Sequence, residues 1–242
     1  MEGKDQFTIR QPEYLESFEA FRDSTSLKQI ATKVEEQVSK KGGSLRCLDS
    51  MAGTGIVGRQ MKQVFGQIKM VYQDKSPKML KADVYQDDDE RITSDATELG
   101  LPDDSFDIIF CRGGLNNVAK EDYPKILSEY IRILSADGIA ILQDHFARTE
   151  EEKDVINRIE TEVANIEGRN DATYIPTAQE LKSLIESTGG NVSDEQSFHI
   201  RLSMKDRFTA KGIHQPDLSK IKEILEDQTN PHSICKRNFV DK

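Results

Sequence analysis

Leu45-Arg-Cys-Leu-Asp49-Ser-Met-Ala-Gly53-Thr-Gly55 decides the fold. A short apolar run ends in an acid, and a glycine loop then opens a helix. Two later apolar runs also end in an acid, at Asp74 and at Asp95. Taken singly, each acid has a plain structural explanation. Asp49 serves as a strand-ending turn acid, Asp74 caps the helix near Ser76-Pro77, and Asp95 is a loop acid. In an open parallel sheet, however, the carboxyl ends of all strands share one edge, and ligands bind there. Three acids in register on that edge describe a site for a nucleoside-bearing ligand.

Outward from this stretch the pattern alternates. Strands are expected at about 45–49, 69–73, 91–94, 106–111 and 138–144, with helices at about 55–65, 77–84 and 122–134 between them. Upstream, Leu27, Ile30, Ala31, Val34 and Val38 mark one helix face, stopped by Gly42-Gly43. The alternation predicts an α/β protein whose parallel sheet is covered on both faces. Past the fifth strand the rhythm changes. Val155, Ile156, Ile159, Val163 and Ile166 form a helical stripe, and a helix over 177–188 turns Leu181, Leu184 and Ile185 inward. Phe198, Ile200, Leu202 and Met204 alternate as a strand, Leu218, Ile221, Ile224 and Leu225 form a helix face, and 233–240 reads as a last strand.

Composition narrows the function. The 242 residues suit one large domain, or one domain with a cap. With 33 Lys and Arg against 43 Asp and Glu, the net charge is −10. That balance argues against a dedicated nucleic-acid or anionic-membrane binder, which needs clustered cations. No apolar run is long enough to span a bilayer, and the first ten residues hold no apolar signal core, so a cytoplasmic protein is expected. Cys47 and Cys111 lie in apolar strands and Cys235 near the end, without metal-ligand spacing. The acidic runs Asp87–Glu90 and Glu150–Glu152 read as solvated turns or helix starts, and no metal site is expected.

On these residues the chain resembles the class I S-adenosylmethionine-dependent methyltransferases, in particular the small-molecule branch that includes quinone-biosynthesis C-methyltransferases. The resemblance runs from about Tyr14 to Met204 and is strongest over 45–145. It implies a seven-stranded Rossmann-like sheet over residues 26–242, an N-terminal cap segment over 1–25, and acceptor-side insertions at 147–176 and 205–230. It implies S-adenosylmethionine as cofactor and a small molecule as methyl acceptor. By the same resemblance Asp49-Ser-Met-Ala-Gly53-Thr54-Gly55 is the first cofactor motif. Its glycines let the backbone approach the amino-acid end closely, and Asp49 answers the ammonium through water. Met51 stands where members of this family usually carry glycine or alanine. Asp74, followed by Lys75, looks like the acceptor of both ribose hydroxyls. Asp95-Ala96 looks like the adenine clamp, with Met79, Leu99 and Leu101 flanking the ring. Phe106 to Leu115, including Arg112, resembles the fourth strand and the loop beneath the transferable methyl. Tyr14, with Phe18 and Phe21, would close over the cofactor as a lid or pack on the sheet.

The acceptor chemistry is read from residue types. His145 ends the fifth strand on the cofactor edge, and imidazole suits general-base work. Its alternative is a structural histidine. Arg112 suits clamping an anionic acceptor, or a salt bridge to Asp95 or Asp74. Asn116 and Asn117 suit positioning an acceptor, or simply closing a turn. His199 and Arg201 sit on the polar face of their strand. Two rival functions stand beside methyl transfer. Gly53-Thr-Gly55-Ile-Val-Gly58 is a GxGxxG, and Asp74 lies 19 positions after Gly55 (74 − 55), as in an NAD(P)-binding oxidoreductase. Asp49 would repel a pyrophosphate, and Asp95-Ala96 has no place in that fingerprint. The other rival is a non-catalytic S-adenosylmethionine-binding module.

Overall fold

Strand β1 (Leu45–Ser50) lies at the centre of a five-stranded sheet of order β3-β2-β1-β4-β5, and every neighbouring pair is parallel. The other strands are β2 (Ile68–Asp74), β3 (Glu90–Thr93), β4 (Phe106–Arg112) and β5 (Leu134–Gln143). Helix α1 (Ser24–Lys41) precedes β1, α2 (Ile56–Val64) follows it, and α3 (Pro77–Leu80) follows β2. Helix α4 (Tyr123–Ile133) joins β4 to β5. Then come α5 (Glu150–Glu167), α6 (Ala178–Ser187) and α7 (Ser219–Glu226). This computed structural model describes residues 24–81, 84–86, 88–169, 173–195, 208, 213 and 215–226.

Seven strands were expected, and five are present among the described residues. The alternating run 198–204, with His199 and Arg201, and the tail 233–240 lie outside them, as do the cap aromatics Phe7, Tyr14, Phe18 and Phe21. Three local departures have physical causes. The helix expected over 77–84 is one turn, Pro77–Leu80, because Arg91 Nη1 donates to the Leu80 carbonyl (3.1 Å) and caps it there. β5 starts at Leu134 instead of near 138, through a register irregularity between Phe106 and Ile108. Gly138 makes that possible, since a Cβ there would lie 2.9 Å from the Ser135 carbonyl oxygen and 3.1 Å from that of Phe106. The run Asp87–Glu90 is not wholly solvated. Asp89 is buried, and its Oδ1 pairs with Lys62 at 2.8 Å. The run Glu150–Glu152 does start a helix, with Thr149 accepting from Glu152 N and the acids facing the positive end of the macrodipole.

Each sheet face buries its own apolar layer. On one side α1 and α2 pack Leu27, Ile30, Val34, Val57 and Met61 onto β1 and β2. On the other, α4 and α6 pack Ile126, Tyr130, Ile133 and Leu181 against Leu48, Phe106 and Ile109. A third cluster joins α5 to α7 through Val155, Ile159, Val163, Ile221 and Ile224, with Phe208 between them. Cys47 and Cys111 are free and buried, and burial pushes both thiols up to about 12, which suits packing and not nucleophilic attack.

Gly58 fixes how closely α2 approaches the sheet. A Cβ there would lie 2.5 Å from Tyr72 Cε1 and 2.8 Å from Met70 Cε. Tyr72 is itself wedged edge-on against Tyr85, with centroids 4.9 Å apart. Gly58→Ala gains up to about 1 kcal/mol of helix propensity but overpacks a buried ring at a cost of about 1–3 kcal/mol. We expect net destabilisation, seen as a lower denaturation midpoint with unchanged far-ultraviolet circular dichroism. A stabilised variant would show that α2 is free to lift.

Candidate active site

The carboxyl ends of all five strands form one edge, and the strand order reverses between β1 and β4. The loop leaving β1 is shaped by the end of β2. Met51 N and Ser50 Oγ donate to Gln73 Oε1 (3.1 and 2.8 Å). Ala52 N donates to the Gln73 carbonyl and Gly53 N to Asp74 Oδ2, both at 2.8 Å. Three consecutive amides are thus tied down. Gln73 Nε2 donates onward to the Ser94 carbonyl (2.6 Å), Tyr130 OH from α4 to Ser50 Oγ (2.9 Å), and Tyr85 OH to the Gly53 carbonyl (2.8 Å). Gly55 has φ 70°, and a Cβ on it would lie 2.8 Å from Tyr85 Cε1. Sequence reading passes over Ser50, Gln73, Tyr85 and Tyr130. Gln73 carried a signal: a polar amide at the end of an apolar strand must find several partners if buried.

The three acids differ in setting. Asp49 is 3% exposed, and its Oδ2 accepts from Gly58 N at 2.9 Å. Burial pushes its carboxyl up to about 7; the Gly58 bond and the charges of Arg112 and Arg59 oppose that rise, while Asp74 adds to it. Asp74, also buried, accepts from Gly53 N and Ser76 N, both at 2.8 Å. The cap of α3 is Ser76, whose hydroxyl accepts from Met79 N, and Asp74 instead bonds the amide of that cap residue. Asp95 lies two residues past β3 and is exposed. Its Oδ1 accepts from Thr97 N and Oγ1 (2.9 and 2.8 Å). Partial burial pushes its carboxyl up, but the Thr97 bonds outweigh this and hold it below its ordinary value. Lys75 is exposed beside Asp74, while Thr54, Met79 and Ala96 are buried. Leu99 and Leu101 belong to the apolar layer under α4.

On the β4 side, half-buried Arg112 ends the strand, and Leu115–Asn117 forms a single 3-10 turn. The structure separates the two asparagines. Asn117 Nδ2 donates to the Gly113 carbonyl, which is the turn-closing role. Asn116 Nδ2 instead meets His145 Nδ1 at 2.9 Å, while Asn116 N donates to Asp144 Oδ2 (3.2 Å). Asp144 Oδ1 accepts from His145 N at 2.9 Å. Burial pushes the Asp144 carboxyl up, and His145 and the surrounding amides pull it back. One carboxylate therefore holds the end of β5 against the loop after β4. His145 itself is exposed. Tyr14 lies outside the described residues.

Residues 48–142, which span β1 to β5 almost entirely, match the methyltransferase domain family. Over that stretch the chain is similar to a methyltransferase domain. Over 102 residues it is 35% identical to the demethylmenaquinone methyltransferase of Deinococcus radiodurans, a stretch covering 40% of this chain and 42% of that protein. The match thus spans well under half of that curated relative. The fold extends further. The YcgJ protein of Bacillus subtilis superposes with a TM-score of 0.65 at 20% identity, covering 84% of this chain and 83% of that one. Phosphoethanolamine N-methyltransferase 2 of Haemonchus contortus, solved with phosphomonomethylethanolamine and S-adenosylhomocysteine, gives 0.50 at 19% identity over 66% of this chain and 36% of that one. The GxGxxG spacing, by contrast, decides nothing here. Its third glycine, Gly58, serves close helix packing, a need common to both nucleotide-binding families.

The buried Asp49 makes the domain's stability pH-dependent. Its carboxyl titrates near 7 when folded and near its ordinary 3.8 when unfolded. Between those values the folded state holds the extra proton, so stability falls as pH rises through the window and levels off above it. Asp49→Asn removes this contribution. Denaturation midpoints from pH 4 to 8 should fall less steeply for the variant than for the wild type; equal slopes would mean that Asp49 ionises as a solvated carboxylate does.

Proposed function

We propose that this protein transfers the methyl group of S-adenosylmethionine to a small-molecule acceptor seated between the β4–β5 edge and the segment 147–176. The observation that carries this reading is the braced glycine loop: three amides fixed by Gln73 and Asp74 inside the matched domain, with Asp49, Asp95 and Arg112 on the same edge. The residues present suit the cofactor. Thr54 Oγ1 is buried in the loop with no hydrogen-bond partner among the described residues, an unmet valence in the middle of the motif. Asp74 accepts from Gly53 N and Ser76 N, one on each oxygen, and an ionised carboxylate is acceptor-only, the chemistry that a ribose diol requires. Asp49 would favour the ammonium group, and Asp95 with Ala96 the adenine edge.

Bound there, S-adenosylmethionine supplies an activated methyl carbon. The chain must then align the acceptor, exclude water and, for a hydroxyl or acidic carbon, take a proton. His145 is the group we assign to that proton. Asn116 sets the ring's orientation through Nδ1, and a half-turn of its amide serves either tautomer. Arg112 stands at the end of the neighbouring strand as the cation for an anionic acceptor. A small-molecule acceptor is supported by the relatives' names, which concern demethylmenaquinone and phosphoethanolamine, and by the net charge of −10, which disfavours nucleic acid. No helix among the described residues is long and apolar enough to cross a membrane.

Two variants separate binding from chemistry. Asp74→Ala should weaken S-adenosylhomocysteine binding by about 1.5–3 kcal/mol in calorimetric titration, the scale of charged hydrogen bonds. Unchanged affinity would place the ribose elsewhere. His145→Ala should bind S-adenosylhomocysteine as the wild type does but turn over about 100-fold more slowly. Normal turnover would return His145 to a structural role.

A further inference from the structure

We propose that Met51 gates the cofactor crevice, and that its side chain limits how tightly the amino-acid end of the cofactor is held. The inference rests on the methyltransferase reading above. Met51 has φ 53°, and among the described residues Asp104 is the only other non-glycine with positive φ. The left-handed region disfavours any residue with a Cβ. The backbone has little freedom to relax, since Met51 N is held by Gln73 Oε1 and the next two amides by Gln73 and Asp74. The resulting conformation sends the side chain across from the β1 loop to the β4 loop. Its Cε and Cβ lie 2.9 and 3.0 Å from where a Cβ on Gly114 would stand. It packs, half-buried, on the apolar layer containing Cys111 and Leu115.

Gly114 is the complement to Met51. Its φ of −100° and ψ of −48° are open to any residue, so backbone conformation does not require glycine there. Space does: Met51 and Cys111 Sγ fill the volume a side chain would take. The gap they fill lies between β1 and β4, where the strand order reverses, which is the crevice where sheets of this class take ligands. Methionine has three rotatable bonds and a polarisable thioether, so its Sδ–Cε end fills such a gap and swings out of it without backbone movement, Cβ alone staying in place. Admitting a ligand then means leaving that packing, and apparent affinity drops by the fraction of molecules in which the gap is open. The penalty falls on the amino-acid half. Asp74 and Asp95, assigned to the nucleoside, stand at β2 and β3, on the other side of β1.

The test is calorimetric titration of the full chain as wild type, Met51→Ala and Met51→Gly, with S-adenosylhomocysteine and with adenosine, which lacks the amino-acid end. Both variants should bind S-adenosylhomocysteine about tenfold more tightly, while adenosine affinity stays within about twofold. Unchanged or weaker S-adenosylhomocysteine binding, or an equal gain for adenosine, overturns the gate. If neither ligand binds wild type or variants, the cofactor reading fails and the gate with it. A ligand-free measurement guards against misfolding of the variants. Gly114→Ala should lower the melting temperature in the wild-type background and do so less beside Met51→Gly, which removes both Met51 contacts and leaves that of Cys111 Sγ. Additive effects would show that Met51 does not occupy the gap.

Discussion

Everything at the ligand edge depends on how the β1 loop disposes of its backbone amides. The β1–β2 ladder ends with Ser50 opposite Gln73. Beyond it, the chain leaves the regular ladder while half-buried or buried, so the next N–H groups need partners outside the strand pairing. Buried amides left unpaired are costly. Gln73 and Asp74 remove that cost, because one supplies a carbonyl and an amide oxygen and the other a carboxylate. The same arrangement orders the loop before any ligand arrives, so less conformational entropy is lost on binding.

That dependence explains which parts of the site were legible in the sequence. Asp49, Gly53, Gly55 and Asp74 announce themselves because chemistry restricts residue type where the backbone turns tightly and strands end. The parallel direction of the strands followed from apolar runs alternating with helical stripes, while their order in the sheet came only with the structure. Gln73 is harder to see, since its role exists only once β2 lies beside β1 in register. Asn116 and Asn117 are adjacent and identical in type, yet one closes a turn and the other meets His145. Only the path of β5 past the 3-10 turn separates them. The early start of β5 and the single-turn α3 are likewise tertiary effects, set by Gly138 and by Arg91, a residue ten positions beyond the helix's C-cap, Lys81.

The loop also carries two features that stability alone would remove: a left-handed methionine and a buried acid. Glycine at 51 would relieve the first, and asparagine at 49 would relieve the charge of the second while keeping an acceptor for the Gly58 amide. Asp49 is nonetheless partly compensated, since the Gly58 amide and the charges of Arg112 and Arg59 oppose the effect of burial. A cation arriving at this edge would add to that compensation, which is the electrostatic reason an ammonium group suits Asp49. Local conflicts of this kind concentrate where a fold serves binding.

The acceptor side is built on a different principle, and this is why sequence says least about it. Its parts come from segments far apart in the chain and meet at one carboxylate. Glu180 of α6 accepts from Tyr174 OH at 2.6 Å and pairs with Lys120 at 3.1 Å and Lys153 of α5 at 3.3 Å. Partial burial pushes that carboxyl up, but Tyr174 and the two lysines outweigh it and hold it below its ordinary value, so it remains the anionic hub of the three. Tyr123 OH reaches the Tyr174 carbonyl at 3.1 Å, and Ala147 N reaches the Pro176 carbonyl at 2.9 Å. Tyr174 and Pro176, in the segment 147–176, are thereby fastened to the start of α4 and to the chain leaving His145. No single motif encodes such a pocket. Its shape follows from where these ties place the segment relative to the sheet edge, and each can change without touching the glycine loop. On the proposed reading, changes at the β1–β2 junction would act on the cofactor and changes at the ties around Glu180 on the acceptor, because the two sets of contacts share no residue.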